Sequence, residues 1–343
     1  MTGPAVTQRP AAPRDGARGP LLEVADLHVE FRTSAGVVRA VNGIGYALEE
    51  GEALAILGES GSGKSVSVRA VMGILRDPSC AVRGSIRFRD QELLGAGDAL
   101  LRRTRGERIA MVFQDALSAL NPVMSVGDQI AEMFRAHRGM SWTDGRKRAV
   151  KLMERVAIPD ARRRVDAYPH QFSGGMRQRV MIAMAIALDP EVLIADEPTT
   201  ALDVTVQAQI MDLIMDLRRE RGMSLILITH DVGVVAEVAE RLIVMYAGRI
   251  VERGRTVDVY DAPAHPYTKG LLASIPQVDR RSDHLDAIQG APPDVLAMPS
   301  GCAFHPRCPY AAERCRVEVP ALRRVREGRE SACHFAEAIV DGR

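Results

Sequence analysis

The sequence predicts an α/β fold with a small cysteine-rich extension at its C-terminal end. Three observations carry that reading. Short apolar runs alternate with helical stretches from about residue 53 to residue 245, the pattern of strands layered against helices. One such run, 53–57, leads directly into a glycine-rich loop and a helix. Four of the five cysteines, Cys302, Cys308, Cys315 and Cys333, crowd the last fifth of the chain, where apolar periodicity fades and Pro and Arg dominate.

Taken in order, residues 1–20 are rich in Pro, Ala, Gly and Arg without an apolar centre, and read as a disordered extension rather than a secretory signal. Strands are expected at 22–31 and 37–47 around a turn at 34–36, then at 53–57, followed by a helix over 64–75. Further strands are expected at 85–89 and 109–113. From about 125 to 164 the pattern is helical, polar and Arg-rich, and a helical insertion is placed at about 123–190. A helix over 176–188, a buried strand at 192–195 and a long helix over 204–221 follow. Strands at 225–228 and 242–245 complete the alternation. The composition changes near Pro263, so the division is 1–20, 21–262 and 263–343.

Lys plus Arg number 45 and Asp plus Glu 44, giving a net charge of +1, which makes no general case for a nucleic-acid partner. No apolar run is long enough to cross a bilayer, so any membrane role must come through partners.

Residues 58–65 read Gly58-Glu59-Ser60-Gly61-Ser62-Gly63-Lys64-Ser65, a complete Walker A pattern between a strand and a helix. Glycines let successive N–H groups turn inward around a phosphate, and the helix N-terminus adds a favourable dipole. Lys64 would reach the β- and γ-phosphates of ATP, and the Ser65 hydroxyl would ligate Mg²⁺. The blander reading is a glycine-rich turn with a chance lysine. At 191–197 an apolar strand ends in the pair Asp196-Glu197. Adjacent carboxylates at a buried strand end call for a cation or substrate, though a solvated strand end is the alternative. Asp196 would hold Mg²⁺, and Glu197 would act on an attacking water.

Phe172-Ser173-Gly174-Gly175-Met176 opens the helix over 176–188, with capped, exposed N–H groups able to meet an anion. Here the chain resembles an ATP-binding-cassette (ABC) ATPase, because 172–176 is similar to that family's LSGGQ signature and Arg177-Gln178-Arg179 follows it. Phe replaces Leu and Met replaces Gln, while Ser173, Gly174 and Gly175 are retained. The resemblance covers about 22–254. It implies a RecA-like core with antiparallel β and helical subdomains, and head-to-tail pairs that clamp ATP between one Walker A and the partner's signature. By position it implies a Q-loop role for Gln114 near Mg²⁺, a D-loop role for Asp203 and a switch role at the γ-phosphate for His230. Phe31 is a candidate adenine-stacking residue, and equally a core aromatic.

Residues 114–122, Gln-Asp-Ala-Leu-Ser-Ala-Leu-Asn-Pro, and the run His265-Pro266-Tyr267-Thr268 resemble the D-type subunits of oligopeptide and dipeptide importers. That resemblance implies a second cassette, a related but distinct F-type chain, two transmembrane permease subunits and an extracytoplasmic peptide-binding protein. It places the chain peripherally at the cytoplasmic face of the cell membrane. A nickel importer of the same group, or a soluble metal-containing cassette acting on nucleic acid or ribosomes, is the alternative. The four C-terminal cysteines are spaced C-x5-C-x6-C-x17-C and would hold a [4Fe–4S] cluster, as in some D-type subunits; Zn²⁺ or reduced structural thiols are the other readings.

Overall fold

A computed structural model describes residues 19–200, 202–274 and 288–342. Residues 1–18 of the expected N-terminal extension lie outside the described residues. The elements run in order as follows. The hairpin β1 (Leu22–Thr33) and β2 (Gly36–Leu48) precedes β3 (Ala53–Leu57) and α1 (Lys64–Val71). Then come β4 (Cys80–Phe88), β5 (Gln91–Glu92), α2 (Asp98–Thr104), β6 (Ile109–Val112) and α3 (Ala116–Ala119). Four helices follow, α4 (Val126–Arg138), α5 (Trp142–Arg155), α6 (Ala161–Arg164) and α7 (Gly174–Ala185). The core then continues through β7 (Val192–Asp196), α8 (Val204–Arg221), β8 (Ser224–Thr229), α9 (Val232–Val238), β9 (Arg241–Tyr246) and β10 (Arg249–Arg255). The last elements are α10 (Thr256–Asp261), α11 (Pro266–Ala273), α12 (Glu313–Val317), β11 (Arg323–Arg326), β12 (Arg329–Ser331) and α13 (Ala336–Val340).

Two sheets organise these elements. The smaller is antiparallel, in the order β2-β1-β4-β5. The larger runs β11-β12-β10-β9-β3-β8-β7-β6, with β9, β3, β8, β7 and β6 parallel. Every residue of β3, β7 and β8 is buried, as expected for parallel strands covered on both faces. One apolar core lies between the main sheet and helices α4–α8, and a second joins the other face of that sheet to the small sheet.

Local chemistry sets the helix ends. Ser125 and Ser141 cap α4 and α5 by accepting from Asp128 and Asp144 N–H groups, and each hydroxyl donates back to the same aspartate. The expected helix over 64–75 stops at Val71, because Gly73 takes φ +61° and turns the chain. The helix expected from 176 begins at Gly174, capped by Ser173. Strand β4 reaches back to Cys80, since its pairing with β1 continues to Phe31. Helices α2 and α9 and strand β10 were not expected. Residues 323–331, read from sequence as part of an appended unit, lengthen the main sheet, β12 pairing with β10 and β11 with β12. Among the described residues, no helix is long and apolar enough to cross a membrane.

Candidate active site

The parallel register places the C-terminal ends of β3, β7 and β8 side by side, with Leu57 opposite Thr229 and Asp196 opposite Ile228. Open α/β sheets bind ligands at this edge. The loop 58–63 leaves β3 here and enters α1 through Gly63. A Cβ on Gly58 would lie 2.3 Å from the Met245 carbonyl, and one on Gly63 would lie 2.3 Å from that of Ala40. Neither position admits a side chain, so the tight turn needs glycine at both. Ser60 and Gly61 form the exposed crown of the turn. Lys64 curls back across it, and its Nζ donates to the carbonyls of Gly58 (2.6 Å) and Glu59 (2.9 Å). Burial lowers the Lys64 ammonium from its usual range, against the pull of Glu197, Asp196 and Glu59.

Ser65 Oγ donates to Asp196 Oδ1 at 2.7 Å. Asp196 is fully buried, and among the described residues its Oδ2 has no hydrogen-bond partner. Burial raises its carboxyl above the usual range. An orphaned, buried carboxylate oxygen beside a hydroxyl is an arrangement that a hard cation completes, so the pair fits Mg²⁺. The next residue, Glu197, takes φ +45°, a conformation rare for a side-chain-bearing residue and found where function holds the backbone. Its Oε2 accepts from Gln114 Nε2 (2.9 Å) and Thr200 Oγ1 (3.0 Å), and His230 Nδ1 stands 3.6 Å away. Glu197 is largely enclosed while His230 is open to solvent.

The structure thus brings Gly58, Ser60, Gly61, Gly63, Lys64, Ser65, Gln114, Asp196, Glu197 and His230 to one edge. Ser173, Gly174, Gly175 and Asp203 gather elsewhere. Ser173 and Asp203 cap α7 and α8. A Cβ on Gly175 would approach Val206 to 2.6 Å, so the glycine lets the two helix starts pack together. Phe172 is buried beneath them. Ser173 and Gly174 are exposed, and among the described residues no hydrogen bond joins them to the loop 58–65. Phe31 lies on β1 opposite Val38 and Cys80, packed against the second core. Beside Gln114 runs an apolar groove lined by Phe113, Met72, Met111, Met133, Met181 and Met184.

Cys302, Cys308, Cys315 and Cys333 all line one small cavity, with His305, His334 and Phe304. Burial, and then the neighbouring thiols, raise Cys308 to about 11; burial and its neighbours push Cys333 up to about 12. The expectation of a formed metal site needs correction in one respect. Among the described residues, no three His, Cys, Asp or Glu side chains come together closely enough to hold a metal ion. The four thiols share one cavity without forming such a group.

Three contacts escaped the sequence reading. Thr200, three residues after Glu197, has no signature of its own. Tyr267 and Arg307 both bond to Glu59, and nothing in the linear order joins residue 307 to residue 59.

Residues 41–200 match the ABC transporter family, and 251–315 match the oligopeptide/dipeptide transporter C-terminal region. The dipeptide transport ATP-binding protein DppD of Escherichia coli (strain K12) is 47% identical over 315 residues, covering 92% of this chain and 96% of that protein. The oligopeptide transport ATP-binding protein OppD of Salmonella typhimurium is 49% identical over 313 residues, covering 91% and 93%. Among solved structures, the dimeric post-hydrolysis state of the ATP-binding cassette MJ0796 with ADP and Pi superposes with a TM-score of 0.61 at 27% identity, over 68% of this chain and 98% of that one. The chain belongs to the ABC transporter family, as an ATP-hydrolysing cassette carrying the oligopeptide/dipeptide-type C-terminal region.

Proposed function

We propose that this cassette drives the uptake of short peptides through membrane permease subunits. The observation that carries its chemistry is Glu197, held by Gln114, Thr200 and His230 next to the Ser65–Asp196 pair and the loop 58–64. The cargo assignment is supported by DppD and OppD, which match nearly end to end, and by the match over 251–315.

In this reading residues 21–262 form the cassette and 263–343 the extension. The backbone N–H groups of Gly58, Ser60, Gly61 and Gly63 cradle the phosphates of ATP, and Phe31 stacks on adenine. Lys64 moves its ammonium from the two loop carbonyls onto the β- and γ-phosphates. Ser65, Asp196 and Gln114 would hold Mg²⁺, whose charge would offset that of the phosphates. Glu197 orients a water and takes its proton as the water oxygen bonds to the γ-phosphorus. The bond from that phosphorus to the β,γ-bridging oxygen breaks, and ADP and phosphate leave. His230 contacts the γ-phosphate from the end of β8.

Ser173, Gly174, Gly175 and Asp203 serve the partner's ATP. The exposure of Ser173, Gly174 and Asp203 away from the chain's own phosphate loop supports a head-to-tail pair, as does the dimeric form of MJ0796. The second cassette is a distinct F-type chain. The methionine-rich groove beside Gln114 suits a permease segment, because flexible thioethers repack around a moving partner. The complex works at the cytoplasmic face of the membrane, with an extracytoplasmic peptide-binding protein delivering cargo.

The four cysteines would hold a [4Fe–4S] cluster. Their shared cavity supports this. The cluster's part is structural, tying down a segment with little core of its own.

In the assembled complex, Glu197→Gln is expected to bind ATP while losing hydrolysis by about 100-fold or more. Turnover at the wild-type rate would overturn the assignment.

A further inference from the structure

Glu59 is the second residue of the phosphate loop, and two of its three polar groups are held by residues of the C-terminal extension. Its backbone N–H donates to Tyr267 Oη at 2.8 Å. Its carboxylate accepts a two-pronged hydrogen bond from Arg307, at 2.7 Å from Nη1 and 2.9 Å from Nη2. Its carbonyl accepts from Lys64. The Arg307 side chain is only 5% exposed. Its guanidinium also reaches Tyr246 Oη (3.4 Å) and the carbonyls of Gln289 (3.1 Å) and Ile288 (3.4 Å). The Glu59 carboxylate holds that guanidinium above its usual range. Arg307 closes the short turn His305–Arg307 between Cys302 and Cys308, and Phe304 anchors the turn edge-on against Tyr246 and Tyr267.

A buried arginine with this many partners is fixed in place. Its location gives it a second consequence. A carboxylate one residue into a loop that receives a triphosphate repels its ligand, and in a partly dehydrated site that repulsion is poorly screened. Resting on the assignment of 58–65 as the phosphate loop, we propose that Arg307 is a positioning residue for ATP. It neutralises Glu59 and, with Tyr267, fixes the loop backbone from the extension side.

This reading has an asymmetry that a simple brace lacks. Deleting the arginine leaves a bare carboxylate within the phosphate loop. Neutralising the glutamate leaves none. A brace loses equally from either side.

The test is fluorescence titration of the purified full chain with a mant-labelled ATP and Mg²⁺. Arg307→Ala is expected to weaken binding about tenfold, and Glu59→Gln to tighten it by up to about threefold. The double variant returns to within about threefold of wild type. In the assembled complex Arg307→Ala raises KM for ATP with little change in kcat. Wild-type affinity in Arg307→Ala, equal losses in both single variants, or no recovery in the double variant overturns the proposal. Should Arg307→Ala fail to fold, Arg307→Lys keeps the charge without the fork and is expected to bind within about threefold of wild type; a folded Arg307→Lys that binds about tenfold more weakly overturns it. Lys64→Ala separates the two failures, since wild-type affinity in that variant sinks the phosphate-loop assignment itself.

Discussion

Arg329→Ala tests how the extension is fastened to the cassette. Glu252, on β10, is completely buried, and Arg329, on β12, is 3% exposed. Oε1 of Glu252 accepts from Arg329 Nη2 (2.8 Å), Arg329 Nε (3.3 Å) and Ala264 N–H (2.8 Å), and Oε2 accepts from His265 N–H (2.9 Å). Arg329 also donates to the Ala262 carbonyl. Burial already raises the Glu252 carboxyl, with the backbone N–H of Ala264 and Arg329 opposing. Removing the arginine strands the carboxylate, which costs about 3–5 kcal/mol. For a chain of this size that is a loss of roughly 5–15 °C in melting temperature. The sign with pH follows from linkage. A carboxyl raised in the folded state favours folding below its unfolded value and loses that advantage as pH rises through its folded value. Without Arg329 the folded value climbs further, so the deficit against wild type is larger at about pH 8 than at about pH 5. Thermal unfolding of both proteins at the two pH values reads this directly. A variant melting within about 1 °C of wild type, or a deficit independent of pH, refutes the reasoning.

His265 supplies a second pH effect. Its Nδ1 accepts from Tyr267 N–H at 3.1 Å, and burial depresses it to about 3. Its contribution is therefore present above about 6.5 and is lost as pH falls towards 3, by about 2 kcal/mol between 6.5 and 5. His265→Asn keeps an acceptor at the cap and is expected to flatten urea-unfolding stability over that range; an unchanged slope counts against the depressed imidazole. For the thiol cavity, protein purified without oxygen is expected to contain about four irons and four sulfides per chain, and Cys308→Ser to lose most of both. One zinc, or no metal, overturns the cluster.

The nucleotide edge was legible because its chemistry is local. A strand, a glycine loop and a lysine follow one another within a dozen residues, and the pair Asp196-Glu197 ends an unbroken apolar strand, so each carries its own context. The order of the strands was not legible, since pairing β3 between β8 and β9 joins segments far apart in sequence. Arg307 escaped for the same reason, being visible only once the extension packs on Tyr246. The helix α2 and strand β10 were missed because polar residues interrupt their apolar pattern. The four cysteines were visible as a group, but that they line one cavity needed coordinates.

The pairing of β12 with β10 bears on solubility during synthesis. An open sheet edge presents unpaired N–H and C=O groups to any other extended chain. Strand β12 covers part of β10, and the sheet then ends on β11, four residues long, three of them arginine. Arg323 and Arg326 are tethered to Glu337 and Asp341 on and after α13. A short border of charged side chains of this kind discourages edge-to-edge association, whereas a chain still lacking residues 329–331 leaves that part of β10 open to aggregation.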